Sequence, residues 1–225
     1  MRRHVSRSRR PKRAKRKSSA KKLPARPRPK QKRNLQRSSS LRLVIGLGNP
    51  GRQYERTRHN VGFDVVRRAA SLSHLSLKKR LLRPYLWTGR GTLVLALPLT
   101  FMNRSGLVVS SLLRASQATV DDMVVVCDNM DLQPGVVRLK RRGSSRSHNG
   151  LASIMDSLGT GEFARLYIGV GRPRDASEVV DHVLSAPDDT EIPRYESAIL
   201  DAADTVTRLA DDDLDRVMNS VNSRQ

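Results

Sequence analysis

The stretch "VIGLGNPGRQYERTRHNVGF", residues 44–63, decides how the rest of this chain is read. Its glycines Gly46, Gly48 and Gly51 spell G-x-G-x-x-G directly after the apolar run Leu43-Val44-Ile45. That is the dinucleotide fingerprint, provided a helix opens at the glycines and its N-terminus receives the pyrophosphate. Here the condition fails. Asn49-Pro50 follows the second glycine, and Arg52-Gln53-Tyr54-Glu55-Arg56-Thr57-Arg58 has no apolar face to lay on a sheet. Asp64 is at a plausible distance for a ribose ligand, but it falls in a helical pattern rather than at the end of a second strand. The glycines read instead as a tight turn at the carboxyl end of a strand. Ligands of open α/β sheets sit outside those ends, so this turn delivers Asn49 and His59 to where a site would form.

Further strands are expected at 84–88, 92–97, 123–127, 136–141 and 165–170, after a first at 42–47. Several are continuous apolar runs, which suit a sheet covered on both faces. Between them, apolar residues at helical spacing mark 61–74, 105–116 and 149–158, with Gly159 where a C-cap would stand. A long helix follows from 194, and Asp211 is placed to cap a last short one through Val217. The alternation predicts an α/β fold: a single three-layer domain with a mixed, mostly parallel twisted sheet flanked by helices. Residues 171–187 lack a strong period and read either as a loop and short helix covering a site or as an ordinary connection.

The net charge of +22 is uneven. Residues 1–40 hold 18 Lys and Arg and no acid, leaving 25 basic against 21 acidic residues in 41–225. The expected organisation is therefore a disordered basic tail, 1–40, and one folded domain, 41–225. The tail reads as a plain solvated extension, as an RNA-binding arm, or as an organellar presequence that lacks an apolar face. Cys127 is alone, which excludes an intrachain disulfide framework and suits a reducing compartment. No run approaches the ~20 apolar residues of a membrane span, and no signal peptide is visible. The expected location is cytoplasmic, with an organelle as the alternative.

"GLGNPGRQYERTRHNVGF", "PLTFMNRSG", "CDNMDLQPG" and "SHNGLASIMDSLG" followed by "RLYIGVGRP" resemble, in order and spacing, the bacterial-type peptidyl-tRNA hydrolases. The late "DRVMNSVN" extends the resemblance to about residue 221. It implies hydrolysis of the ester joining a peptide to the terminal ribose of tRNA, by a monomer without cofactor or metal. Such chemistry needs an activated water and a stabilised oxyanion. His59 matches the general base, and imidazole titrates near neutrality. Asp128 matches the carboxylate that orients it. Asn103 matches an active-site amide that orients water or stabilises the oxyanion, although a helix N-cap is its plainer reading. Asn49 and Asn149 match residues lining the peptide and terminal-adenosine site, with turn and cap chemistry as their alternatives. Tyr54 and Met102 are assigned to substrate binding with them, Met102 as part of the wall. Cys127 neighbours Asp128, but strand alternation turns it to the other face, and the family uses no thiol.

On the nucleic-acid side, Lys140 matches a residue associated with the tRNA 5′-phosphate, and Arg138, Arg141, Arg142 and Arg146 thicken that basic patch against the tRNA backbone. Two positions depart from the family. Ser144-Ser145-Arg146-Ser147 replaces a Gly-rich turn, and Tyr167 stands where a second phosphate-binding Arg is usual. The rival reading is an RNA-binding relative without catalysis. The basic tail and the altered turn favour it; the retained His59, Asp128, Asn103, Asn49 and Asn149 favour an enzyme.

Overall fold

The computed structural model describes residues 41–144 and 148–224. The expected tail, residues 1–40, and Ser145, Arg146 and Ser147 of the altered turn lie outside the described residues. The chain runs β1 (Arg42–Gly46), α1 (Val61–Leu72), β2 (Lys78–Lys79), β3 (Tyr85–Arg90), β4 (Leu93–Pro98) and α2 (Gly106–Ser116). It continues through β5 (Met123–Asn129), β6 (Val137–Lys140), α3 (Asn149–Leu158), β7 (Ala164–Gly169), α4 (Val179–Leu184), α5 (Ile192–Arg208) and α6 (Leu214–Asn222). The sheet order is β2-β3-β4-β1-β5-β7-β6. The four central strands, β4-β1-β5-β7, are parallel; β2, β3 and β6 join antiparallel at the margins.

Both faces of the central strands are covered, which explains their unbroken apolar runs. Along β1 and β5 the side chains alternate between two cores. Val44, Val124 and Val126 pack with residues of α1, α5 and α6. Leu43, Ile45, Met123, Val125 and Cys127 pack with residues of α2 and α3. The result is the expected three-layer α/β domain.

The glycines of the opening stretch serve packing and turning. A Cβ on Gly46 would lie 2.2 Å from the Gly62 carbonyl oxygen, and one on Gly62 would lie 2.3 Å from that of Val126. Strand β1 and helix α1 thus touch through bare backbone. A Cβ on Gly48 would run into the Phe63 ring at 2.7 Å, and Gly51 adopts φ 119°, a conformation open to glycine. No helix opens at these residues: two short 3₁₀ turns, Arg52–Tyr54 and Arg58–Asn60, lead into α1. A pyrophosphate cradle is absent from this turn.

At the other end of the chain the last helix starts later than its acidic run suggests. The amides of Asp211 and Asp212 still bond to the Arg208 carbonyl and close α5. Asp213 is therefore the cap, its carboxylate accepting from the Asp215 amide at 2.8 Å. Asn222 then fastens α6 to the β6 edge, accepting from the Leu139 amide and donating to its carbonyl. Among the described residues no helix is long and apolar enough to cross a membrane.

Candidate active site

His59 sits on the 3₁₀ turn before α1, beyond the carboxyl end of β1, and three sets of bonds hold that turn. Asn60 clamps the loop start, accepting from the Asn49 amide at 2.8 Å and donating to the Asn49 carbonyl at 2.9 Å. Arg58 is buried, donates to the Ala186 carbonyl at 2.7 Å and to Ser185 Oγ at 2.8 Å, and pairs with Glu191. Tyr195 on α5 donates its hydroxyl to the Arg58 carbonyl at 3.2 Å. The residue before His59 is thus tied to parts of the chain more than a hundred residues away.

Asp128 follows Cys127 on β5 and turns the opposite way, toward the turn that carries His59. His59 Nδ1 lies 2.8 Å from Asp128 Oδ1. A second imidazole reaches the same oxygen: His148 Nε2, at 3.1 Å. The other ring nitrogen of His148, Nδ1, accepts from the Gly150 and Leu151 amides at 3.1 and 3.3 Å and caps α3. Two backbone donors at Nδ1 leave the proton on Nε2, so His148 donates to Asp128. The two rings are tilted at 39° with centroids 5.0 Å apart.

The electrostatics follow from this convergence. Burial disfavours the Asp128 carboxylate, which is only 4% exposed, yet the two imidazoles and their hydrogen bonds outweigh it and hold the carboxyl far below the usual range. For His59 burial pulls the pKa down, while the charge of Asp128 and its hydrogen bond push harder the other way, leaving it raised above 6.5. Asp128 is thus an ionised acceptor, and it keeps the His59 proton on Nδ1 and leaves Nε2 free to accept. His59, Asp128 and His148 also form the group of described residues able to ligate a metal, with ligand atoms within 4.8 Å. A metal there would have to displace both ring protons from the Asp128 oxygen and would compete with the amides at His148 Nδ1.

These groups open into a cavity of about 480 Å³ also lined by Asn49, Met102, Asn103 and Asn149. Asn49 is buried and its Oδ1 accepts from the Met102 amide at 2.7 Å, which leaves its NH₂ group as the remaining function. Asn103 is exposed at the rim; Ser105, not Asn103, precedes the first turn of α2. Asn149 is exposed too, as the first residue of α3; the capping role falls to His148. Met102 is buried and packs the wall. Tyr54 lies edge-to-face on Phe101, centroids 6.4 Å apart, and Phe101 lines the cavity. Helix α4, inside the segment 171–187, supplies an apolar wall of Val179, Val180, Val183 and Leu184.

The expected tRNA-facing cations stand apart from this centre. Lys140 is exposed and opposite Arg165, which is opposite Val125 on β5. It therefore lies about 10 Å down the strands from Asp128, at ~3.3 Å per residue. Arg142 pairs with Glu162 at 3.2 Å, and Arg141 Nε donates to Asp215 at 3.0 Å. Tyr167 is buried in the α2/α3 core and lines the cavity wall. Cys127 is fully buried, and burial pushes its thiol well up. Two contributors escaped the sequence reading. His148 is a ring in a capping position usually held by Ser, Thr, Asp or Asn. Arg58 reads as one more charge in a polar loop. The adjacency of His148 to Asn149 was the one available signal.

Comparison with known proteins agrees with this architecture. A family model described as peptidyl-tRNA hydrolase matches residues 43–225. The peptidyl-tRNA hydrolase of Geobacillus kaustophilus is 40% identical over 185 residues, covering 81% of this chain and 100% of the relative. That of Dehalococcoides mccartyi is 42% identical over 188 residues, with 81% and 100% covered. The crystal structure of peptidyl-tRNA hydrolase from Acinetobacter baumannii superimposes with a TM-score of 0.76 at 33% identity, covering 84% of this chain and 97% of that one.

Proposed function

This chain belongs to the peptidyl-tRNA hydrolase family, and on that premise we propose that His59 is the general base of its ester hydrolysis, oriented by Asp128. The activity is cleavage of the bond between a peptide and the terminal ribose of tRNA. One observation carries the assignment of roles: the Nδ1–Oδ1 contact of 2.8 Å at the edge of a cavity bordered by amide side chains.

His59 Nε2 takes a proton from water as the oxygen attacks the ester carbonyl, and the ionised Asp128 stabilises the imidazolium that forms. The carbonyl oxygen becomes an oxyanion, which the Asn103 NH₂ donates to. When the C–O bond to ribose breaks, His59 returns the proton to the departing 2′- or 3′-oxygen. The products are a peptide acid and free tRNA. Asn49 and Asn149 hold peptide backbone and terminal nucleoside without reading side chains, while the α4 wall and the Tyr54–Phe101 pair offer apolar surface. Lys140 and Arg142 contact the tRNA backbone, for which Arg142 must leave Glu162. The hydrolase domain spans 41–225 and acts as a cytoplasmic monomer; residues 1–40 add RNA affinity.

The test is purified protein with an N-acyl-aminoacyl-tRNA, beside a free aminoacyl-tRNA. Release of tRNA from the first alone is expected. No release from either would leave the rival reading, an RNA-binding relative without catalysis.

A further inference from the structure

We infer that the β2–β3 edge of the sheet, built on Lys78, Lys79, Arg80 and Arg83, is a docking surface for a second RNA, distinct from the tRNA being cleaved. The inference rests on the reading that the substrate is peptidyl-tRNA held along the β6 edge.

The folded domain is split in charge. From Val65 to Val120 the chain has nine Lys and Arg and not one Asp or Glu, whereas residues 121–225 hold 19 of the 21 acids against 12 Lys and Arg. All nine cations are exposed. Among the described residues Arg67 alone of them has an ion-pair partner, Asp64 at 3.8 Å. A random solvated surface mixes signs; nine cations in 56 residues without one acid, eight of them with no ion-pair partner among the described residues, produce a field that attracts a polyanion.

The fold gathers the central four of these charges. Lys78 and Lys79 form the outermost strand, opposite Trp87 and Leu86. Arg80 lies over the Trp87 ring at 4.7 Å. Arg83 is tethered to α2 through Ser111 Oγ at 3.2 Å, which fixes its position and leaves its charge uncompensated. Because β3 runs antiparallel to β4, with Tyr85 opposite Pro98 and the Leu99 amide on the Pro84 carbonyl at 2.8 Å, loop 80–84 stands at the cavity end of the sheet. The surface therefore stands at the same end of the sheet as the site, outside the cavity lining.

The two sheet edges differ in the state of their cations. On β6 and just beyond it, Arg141 and Arg142 are already matched by Asp215 and Glu162, so a phosphate must displace a carboxylate. Among the described residues no carboxylate pairs with Lys78, Lys79, Arg80 or Arg83. Six strand spacings separate the edges, roughly 29 Å at ~4.8 Å each. Leu81 and Leu82 are 86% and 93% exposed beside the cations, which raises an anionic membrane as the rival occupant. Two side chains fall far short of the apolar face that a surface-bound helix buries in lipid, and the chemistry of the neighbouring site is RNA chemistry.

The test uses the full chain carrying Lys78→Gln, Lys79→Gln, Arg80→Gln and Arg83→Gln together. Binding of a fluorescent, unacylated RNA duplex is followed by anisotropy between about 50 and 200 mM salt. The expected result is a plot of log affinity against log salt shallower by about 2–4 units, with KM for N-acyl-aminoacyl-tRNA within about twofold of wild type. An unchanged slope overturns the inference. A KM that rises in step with the lost affinity also overturns it, by giving the edge to the substrate. Loss of binding to phosphatidylserine vesicles with duplex binding intact overturns it in favour of a membrane. Wild-type protein that fails to hydrolyse the substrate would sink the activity instead, a separate readout from duplex affinity.

Discussion

Replacing Asp128 by Asn isolates the charge from the geometry. In the wild type both His59 and His148 direct a ring N–H at the same oxygen, Oδ1. An Asn side chain that turned its NH₂ group to that place would meet two donors, so its carbonyl oxygen takes the position instead. His59 then keeps its proton on Nδ1, and the productive tautomer survives. What is lost is the negative charge. Two unit charges about 4 Å apart interact by about 4 kcal/mol at an effective dielectric near 20. A proton half transferred in the transition state realises about half of this, and the weaker neutral hydrogen bond adds about 1 kcal/mol. The sum, about 3 kcal/mol, lowers kcat about 10²-fold. A serine hydrolase loses ~10⁴ on the same change because its tautomer inverts. The acid limb of kcat/KM also moves. His59 acts unprotonated, so activity rises with pH through its pKa, which Asp128 holds above 6.5. Without the charge, burial prevails and the limb shifts below 6.5. Rate profiles from pH 5 to 9 on N-acyl-aminoacyl-tRNA read both effects. A plateau unchanged from wild type, or a limb moved upward, would refute the argument.

His148→Asn keeps a capping residue on α3 but removes one donor from the buried Asp128; stability should fall by about 1.5–3 kcal/mol. The acid limb should move up, since Asp128 then answers His59 alone; a limb that stays put would remove His148 from the hydrogen-bonded centre. Gly62→Ala places a methyl 2.3 Å from the Val126 carbonyl oxygen and 2.6 Å from Leu47 backbone atoms. Overpacking against backbone should cost about 3 kcal/mol and lower Tm by about 6–12 °C in thermal unfolding; an unchanged Tm would mean β1 and α1 separate freely. Deleting residues 1–40 should leave kcat on N-acyl-aminoacyl-tRNA unchanged and flatten the salt dependence of RNA binding. An unaltered slope in the truncated protein would show that the tail does not touch RNA.

The layered sheet is legible in runs such as Leu43–Leu47 and Met123–Cys127, because only a strand covered on both faces can be apolar at every position. Strand β2 is not: Lys78 and Lys79 are exposed and carry no pattern, and they pair only because Trp87 and Leu86 present an open edge. Asp211 misleads because three consecutive acids look alike until the Arg208 carbonyl claims two of their amides. His59 and Asp128 are legible only through motif resemblance; nothing local joins residues 69 apart. His148 is not legible in the sequence, since its two jobs, capping α3 and donating to Asp128, depend on where β5 ends. Arg58 is buried against partners far along the chain, Ser185, Ala186 and Glu191, the last 133 residues later.

The most direct test of the account is single-turnover hydrolysis of N-acyl-aminoacyl-tRNA by His59→Ala, with tRNA affinity measured in parallel. Loss of the base should slow cleavage by about 10²–10⁴-fold while tRNA still binds. Cleavage at the wild-type rate would show that the imidazole beside Asp128 does not activate water.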